Sequence, residues 1–200
     1  TRSPSPGNEN ISEASFQWPA GLLVDEDENL YVTDEAKHCV VVMDKDGIHL
    51  GTWGEYGTGE TQLNRPSGMS FDREGNILLS DTMNNRVQRF TKEGNHLQTI
   101  GAGVLNNPWG LCVDSEDNIY VADWKNDRVV KFSPDGKELQ VIGSFGSDKG
   151  QFTRPSAVAV VLHGDIYVAD GKNDRVQLFD KLGKYIQSFH GDATLSTSGL

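Results

Sequence analysis

The chain has few cysteines, few basic residues and no long apolar run, and each shortage excludes a class of protein. Its two cysteines, Cys39 and Cys112, are too few for a disulfide framework, and no pair of them has metal-ligand spacing with neighbouring histidines. Because no run of about 18 apolar residues occurs, the sequence predicts no membrane span. With 18 Lys and Arg against 29 Asp and Glu, the net charge of -11 argues against a broad nucleic-acid surface, which needs clustered cations.

Catalytic motifs are also missing from the 200 residues. The sequence contains no H-E-x-x-H, G-x-S-x-G or phosphate-binding loop. Two glycine-rich stretches, 57–60 and 146–150, are not followed by a helical pattern and do not predict a phosphate site. The sequence therefore identifies no catalytic residue, no metal ligand and no cofactor.

What the sequence does contain is a repeat. The decapeptide YVADWKNDRV at 120–129 returns as YVADGKNDRV at 167–176. Alignment on proline extends the match to four copies, which begin at Pro19, Pro66, Pro108 and Pro155. An aspartate recurs at one slot of every copy, at Asp34, Asp81, Asp123 and Asp170. An arginine follows it in the last three copies, at Arg86, Arg128 and Arg175, whereas the first copy has Cys39 in that slot.

Each copy contains four short apolar clusters separated by turn residues. In the third copy they are 110–113, 119–122, 128–132 and 138–142. Short runs rich in β-branched and aromatic residues predict strands. Asp46-Gly47 and Asp135-Gly136 predict two-residue hairpin turns, because glycine tolerates the positive φ that such turns need. Four strands in a unit of this length are typical of a β-propeller blade, so an all-β fold is predicted.

The repeated pattern resembles the NHL repeat. Its hallmarks are a proline and glycine that enter the first strand, an IYVAD-like second strand, an N-x-R-V turn and a third strand ending in Phe. The resemblance covers residues 16–190 and implies a β-propeller with four-stranded antiparallel blades, four of them visible, from a six-bladed ring. It favours a bacterial-type protein with several NHL repeats, of which this chain is a fragment. A closed four-bladed ring and an oligomer that completes itself are the alternatives.

The predicted organisation follows from the repeat. Residues 1–18 are the tail of a preceding repeat, and residues 191–200 are a polar tail. The predicted blades lie between them, at 19–65, 66–107, 108–154 and 155–190.

The repeated aspartates and arginines predict a structural role. An aspartate can accept N–H hydrogen bonds in a turn while an arginine reaches a carboxylate, and together they fix the turn between the second and third strands. The alternative is a ring of metal-binding carboxylates. It is disfavoured because the second strand stands off the central axis, where a shared ion would lie.

Two tryptophans suggest a binding surface. Because consecutive strands are antiparallel, the linkers between blades and the turns between second and third strands share one face, and the opposite face is strongly acidic. Trp109 and Trp124 occupy slots that other copies fill with small or polar residues, so the blade itself does not require them. Arginine and exposed aromatics are the usual anchors of interfaces. The candidate residues for binding a ligand or partner are Trp109, Trp124, Lys125, Arg154 and Lys172. The alternative for the tryptophans is that they cover a neighbouring loop.

The function favoured by these patterns is non-catalytic recognition of a protein, peptide or small ligand on the face that carries the linkers. The five histidines occupy five different slots of the repeat, so we do not expect them to converge on one ion. Two alternatives stay open: part of a lactonase-like or lyase-like propeller enzyme whose metal site lies outside this segment, and an RNA-binding NHL domain. Enzymatic activity and localisation stay undecided.

Overall fold

The structure, a computed structural model, describes residues 15–191. Within this range the chain forms four antiparallel sheets of four strands each, and the all-β prediction is confirmed. Residues 1–14 and 192–200, which hold most of the two predicted tails, lie outside the described residues.

Each sheet is one blade, and its strands are hydrogen-bonded in chain order. Blade 1 comprises β1 (Pro19–Val24), β2 (Leu30–Asp34), β3 (Cys39–Met43) and β4 (His49–Trp53). A two-stranded parallel ladder, β5 (Glu55–Tyr56) and β6 (Gln62–Leu63), lies in the following linker. Blade 2 comprises β7 (Pro66–Phe71), β8 (Ile77–Asp81), β9 (Arg86–Phe90) and β10 (His96–Ile100). Blade 3 comprises β11 (Pro108–Val113), β12 (Ile119–Asp123), β13 (Arg128–Phe132) and β14 (Glu138–Ile142). Blade 4 comprises β15 (Pro155–Val160), β16 (Ile166–Asp170), β17 (Arg175–Phe179) and β18 (Tyr185–His190).

The register of each blade aligns its repeated residues in one row. In blade 2, Asp81 at the end of β8 pairs with Pro66 on one side and with Arg86 on the other. The same row recurs in blades 3 and 4. Short 3₁₀ turns follow the second strand in blades 2 and 3, at Thr82–Asn84 and Trp124–Asn126.

The turns between third and fourth strands differ from the two-residue hairpins that the sequence predicted. Between β3 and β4, the N–H of Gly47 donates to the carbonyl of Asp44, and the N–H of Asp44 donates to the carbonyl of Ile48. Gly47 has a φ of 80°, and the register shifts beside it. The loop therefore has three residues and ends in a glycine bulge, and Asp135-Gly136 lies in a loop of the same kind. The prediction was wrong in loop length because a dipeptide does not define where strand pairing stops.

The hydrophobic core consists of layers between consecutive blades. Alternation along each strand places side chains on both faces of the sheet, so an interior blade packs against two neighbours. The layer between blades 1 and 2 includes Val40, Leu79 and Phe90, all fully buried. Equivalent layers lie between blades 2 and 3 and between blades 3 and 4.

Glycine at the start of the first strand allows close contact between blades. A Cβ atom on Gly68 would lie 2.7 Å from the carbonyl oxygen of Trp109 in the next blade, and one on Gly110 would lie 2.7 Å from that of Ser156. Such distances are shorter than any side chain tolerates, so these positions require glycine. The fourth blade has Ala157 in this slot, and its side chain is exposed.

Blades 1 and 4 each have one sheet face that packs against no blade within residues 15–191. Leu22 on β1 is 64% exposed, whereas Met69 in the same slot of blade 2 is 8% exposed. Phe189 on β18 is 43% exposed, whereas Ile100 in the same slot of blade 2 is 1% exposed. The two outer faces thus carry apolar side chains of the kind that the interior interfaces bury.

Candidate partner-binding site on the linker face

Asp81 joins the turn between β8 and β9 to the linker before blade 2. Its buried carboxylate accepts hydrogen bonds from the N–H of Asn64 at 2.7 Å, from Nδ2 of Asn84 at 2.9 Å and from Nε of Arg86 at 2.8 Å. The Nη2 of Arg86 also donates to the carbonyl of Gln62 at 3.1 Å. We call this arrangement of aspartate, turn and linker the aspartate latch.

Blades 3 and 4 contain the same latch. Nε of Arg128 lies 2.8 Å from Oδ2 of Asp123, and Nε of Arg175 lies 2.9 Å from Oδ2 of Asp170. Both arginines also donate to the carbonyl four residues before the entering proline, at Val104 and Gln151. The three arginines therefore fix the linker as well as the turn.

Blade 1 makes equivalent contacts with different groups. Asp34 accepts four backbone N–H hydrogen bonds, from Gln17, Trp18, Ala36 and Lys37. Nζ of Lys37 donates to the carbonyl of Ser15, which is again four residues before the entering proline. Burial alone would raise the pKa of Asp34, but the four N–H donors outweigh it and lower that pKa below its usual value. Cys39 therefore replaces the arginine without loss of the turn-to-linker connection.

A second contact links each blade to the next. In blades 2 to 4, the residue before the entering proline donates its N–H to the last side chain of the preceding blade's turn between second and third strands. The donor and acceptor pairs are Arg65 and His38 at 3.0 Å, Asn107 and Asn85 at 2.8 Å, and Arg154 and Asp127 at 2.8 Å. All six residues have positive φ between 51° and 58°. Together with the latches, these contacts position one surface, the linker face, formed by the inter-blade linkers and the turns between second and third strands.

The structure brings the five candidate residues together on the linker face at the interface of blades 3 and 4. The rings of Trp109 and Trp124 have centroids 5.8 Å apart, and Cζ of Arg154 lies 4.4 Å from the Trp124 centroid. Lys125 is exposed beside Trp124, and Lys172 is exposed beside the Arg154 linker, where its N–H donates to the carbonyl of Thr153. Trp109 is 37% exposed. We call Trp109, Trp124, Lys125, Arg154 and Lys172 the platform.

The tilted tryptophan pair and the stacked arginine restrain one another. Aromatic pairs at this separation attract, and a guanidinium above an indole gains a cation–π interaction. The N–H of Arg154 is held by Asp127, which orients the backbone from which its side chain leaves. The platform is thus a pair of indoles with an arginine stacked on one of them and two exposed lysines on the same face.

The candidate set from the sequence missed a second arginine–tryptophan pair on the same face. Cζ of Arg65 lies 5.3 Å from the ring centroid of Trp18, which is 61% exposed. Arg65 occupies the slot of Arg154, directly before the entering proline, so the alignment contained the signal. The linker aromatics Tyr56 and Phe145, 68% and 71% exposed, likewise share one slot.

The opposite face carries acidic turns, and several of their aspartates are engaged by neighbouring groups. Burial alone would raise the pKa of Asp25, but hydrogen bonds from Asn29, Lys92 and Tyr31 lower it to about 2. Burial, followed by the Asp25 charge, raises the pKa of Tyr31 to about 12. A cleft of about 310 Å³ between blades 1 and 2 opens here and is lined by Asp25, Asp72 and Lys92. Asp25 pairs with Lys92 at 3.3 Å and Asp72 pairs with Arg89 at 3.2 Å, so both cleft carboxylates are held in structural ion pairs.

Residues 15–191 contain neither a metal-ligand cluster nor an activated thiol. No group of three or more His, Cys, Asp or Glu side chains in that range could hold a metal ion. Burial raises the pKa of the Cys112 thiol to about 12, and burial and the Asp34 charge raise that of Cys39. Neither thiol ionises near neutral pH. No helix of the described chain is long and apolar enough to span a bilayer.

The repeat units match a known sequence repeat. The sequence profile of the NHL repeat matches residues 16–43, 63–90 and 105–132. The chain carries NHL repeats. The matched ranges fall on the first three units, and the fourth unit repeats their strand order and their latch. The first unit is matched although its turn departs most from the repeat pattern.

Solved structures of other proteins share the fold of this chain. No curated protein sequence matches the chain significantly. A streptogramin B lyase structure is similar, with a TM-score of 0.68 and 14% identity over 87% of this chain and 55% of that one. A catalytically inactive virginiamycin B lyase from Staphylococcus aureus with quinupristin has a TM-score of 0.68 and 12% identity, over 92% of this chain and 58% of that one. The structure of the RRP9 WD40 repeats has a TM-score of 0.71 and 13% identity, over 90% of this chain and 53% of that one. The NHL-repeat chain thus spans little more than half the length of each of these proteins.

Proposed function

We propose that this NHL-repeat chain is a non-catalytic recognition module that binds a protein or peptide on its linker face through the platform. The observation that carries the proposal is the pairing of Trp109 with Trp124 beneath the guanidinium of Arg154. Tryptophan and arginine are the residues that most often dominate binding energy at protein interfaces.

The blade does not account for these side chains. The slot of Trp109 holds Ala20, Ser67 and Ser156 in the other copies. The slot of Trp124 holds Glu35, Thr82 and Gly171. Blades with these smaller residues form the same sheets, so the two tryptophans are not needed for the fold.

Selection of random 12-residue peptides against the chain tests the proposal. Peptides selected on the wild type should lose at least tenfold in affinity for the Trp109→Ala/Trp124→Ala variant, because hot-spot truncations cost on the order of 2 kcal/mol or more. The matched control is Leu162→Ala/Leu182→Ala, which removes two exposed apolar side chains, 92% and 74% exposed, from the opposite face. Selected peptides that tolerate loss of both tryptophans but not of the two leucines would contradict the proposal, as would a selection that yields none.

The RNA-binding alternative makes a different prediction. Binding that rests on phosphate contacts falls by roughly a thousandfold or more between 50 and 200 mM salt for six or more contacts. The net charge of -11 opposes such contacts. Tight RNA binding at about 50 mM salt that falls steeply towards 200 mM would favour the alternative. The enzymatic alternative would be favoured by a stoichiometric metal ion retained after dialysis.

A further inference from the structure

Two blade interfaces carry an arginine in the same slot, and within residues 15–191 only one of these arginines has a carboxylate partner. Arg65 precedes the entering proline of blade 2, and Arg154 precedes that of blade 4. The turn residue facing Arg65 is Glu35, and the residue in the same slot facing Arg154 is Trp124. One interface therefore places a carboxylate opposite the arginine, and the other places an indole there.

At the interface of blades 1 and 2 the guanidinium is neutralised. Nε and Nη2 of Arg65 donate to one carboxylate oxygen, Oε2 of Glu35, at 3.1 and 2.7 Å. The Glu35 side chain is only 12% exposed, and the arginine lies above Trp18. The fold itself thus shows a carboxylate bound by an arginine in this slot beside an indole.

At the interface of blades 3 and 4 the corresponding carboxylate is missing from the described chain. Arg154 is stacked on Trp124, and its weak contact is from Nη1 to the Trp124 carbonyl at 3.5 Å. Residues 15–191 supply no acidic group within 4.0 Å of its guanidinium. The nearby Asp127 instead accepts the backbone N–H of Arg154. The guanidinium is thus stacked on an indole, and no carboxylate of residues 15–191 contacts it.

We propose that this guanidinium binds a carboxylate of a peptide ligand, an inference that rests on the proposed peptide recognition by the linker face. Arg154 provides the planar fork that matches a carboxylate, and the exposed Lys125 and Lys172 add positive charge to the same face. Trp109 and Trp124 pack against the apolar part of the ligand. A carboxylate fits better than a polyphosphate chain because three cations in a molecule of net charge -11 do not extend into a track.

Three peptides of one length distinguish the chemistry and its source. The first is acetyl-Gly-Phe-Glu-Phe-Gly-amide, the second has Gln for Glu, and the third is the Gln peptide with a free terminal carboxylate. Tryptophan fluorescence of the full chain reports binding, because Trp109 and Trp124 lie in the site. The glutamate peptide should bind on the order of tenfold more tightly than its amidated glutamine twin, as expected for a charge-assisted hydrogen-bonded pair. An equal gain in affinity by the free-acid glutamine peptide over its amidated form would show that a C-terminal carboxylate can occupy the site.

Variants assign the gain to one side chain. Arg154→Ala should reduce the glutamate preference to about onefold, and Arg154→Lys should retain only part of it, since lysine lacks the fork. Arg65→Ala is the matched control from the same slot and should leave the preference unchanged. Thermal unfolding of each variant confirms that it is folded.

The outcomes separate the two proposals. Equal binding of the glutamate and glutamine peptides, with both lost in Trp124→Ala, would overturn carboxylate recognition and leave peptide recognition standing. A glutamate preference that survives Arg154→Ala, or no binding of any peptide at millimolar concentration, would also overturn it, and the random-peptide selection then decides the wider proposal. Displacement of the peptide by an oligouridylate with a steep salt dependence would assign the cations to phosphate instead.

Discussion

Blade 1 and blade 3 hold the same linker position with different chemistry. In blade 3 an arginine binds both the buried Asp123 and a linker carbonyl, whereas in blade 1 backbone N–H groups satisfy Asp34 and Lys37 takes the carbonyl. The aspartate is the shared element, and the arginine is one of two ways to surround it. The blade 3 latch therefore buries an ion pair, whereas the blade 1 latch buries a carboxylate among neutral donors.

Removal of the aspartate should give the largest difference in unfolding free energy between the two latches. Asp123→Ala leaves the guanidinium of Arg128 without its buried partner, and we expect a loss of about 3–5 kcal/mol in unfolding free energy. Asp34→Ala leaves only neutral N–H groups, two of them on exposed residues that water can reach, so about 1–3 kcal/mol is expected. Urea unfolding followed by circular dichroism measures both losses. Equal losses would mean that the arginine adds no charge penalty.

Removal of the basic side chains should lower the unfolding free energy by less than removal of the aspartates. Arg128→Ala should cost about 2–3 kcal/mol, because Asp123 keeps its hydrogen bonds from Asn106 and Asn126. Lys37→Ala should cost about 0.5–1 kcal/mol, since this ammonium is partly exposed and contacts a neutral carbonyl.

A third variant tests whether the two cations are interchangeable. Cys39→Arg in the Lys37→Ala background should recover part of the loss, and the full double-mutant cycle gives the coupling. No recovery would show that the blade 1 turn cannot accommodate the arginine.

The smallest effect is the pH dependence of the blade 1 latch. The pKa of Asp34 lies below its value in the unfolded chain, so its stabilisation is complete above about pH 4 and is lost as pH falls through the folded pKa. Asp34→Asn cannot titrate. The difference in urea midpoint between the wild type and this variant should be constant from pH 7 to pH 5 and shrink towards pH 3. A constant difference down to pH 3 would assign the loss at neutral pH to shape and not to charge.

The sequence predicted the blades well because the signals are local. Alternating apolar clusters and turn residues set the strands of each unit, and the recurrence of proline and aspartate aligned the units. The position of Lys37 could not be predicted, because it stands in the slot of Asn84 and its contact with Ser15 depends on how the linker folds back. The stacking of Arg154 on Trp124 likewise depends on side-chain conformation. The slot that Arg154 shares with Arg65 was visible in the alignment.

The contact before the entering proline of blades 2 to 4 gives each blade interface a polarity. At each interface the earlier blade supplies a side-chain acceptor and the residue before the next blade's proline donates its backbone N–H, as His38 and Arg65 show. Asp174 is the matching acceptor of blade 4, has a φ of 49°, and receives no N–H within residues 15–191. Two copies that met through their fourth blades would set acceptor against acceptor across a two-fold axis. Self-association that repeated the contact between His38 and Arg65 would instead be vectorial, with the fourth blade of one copy against the first blade of the next.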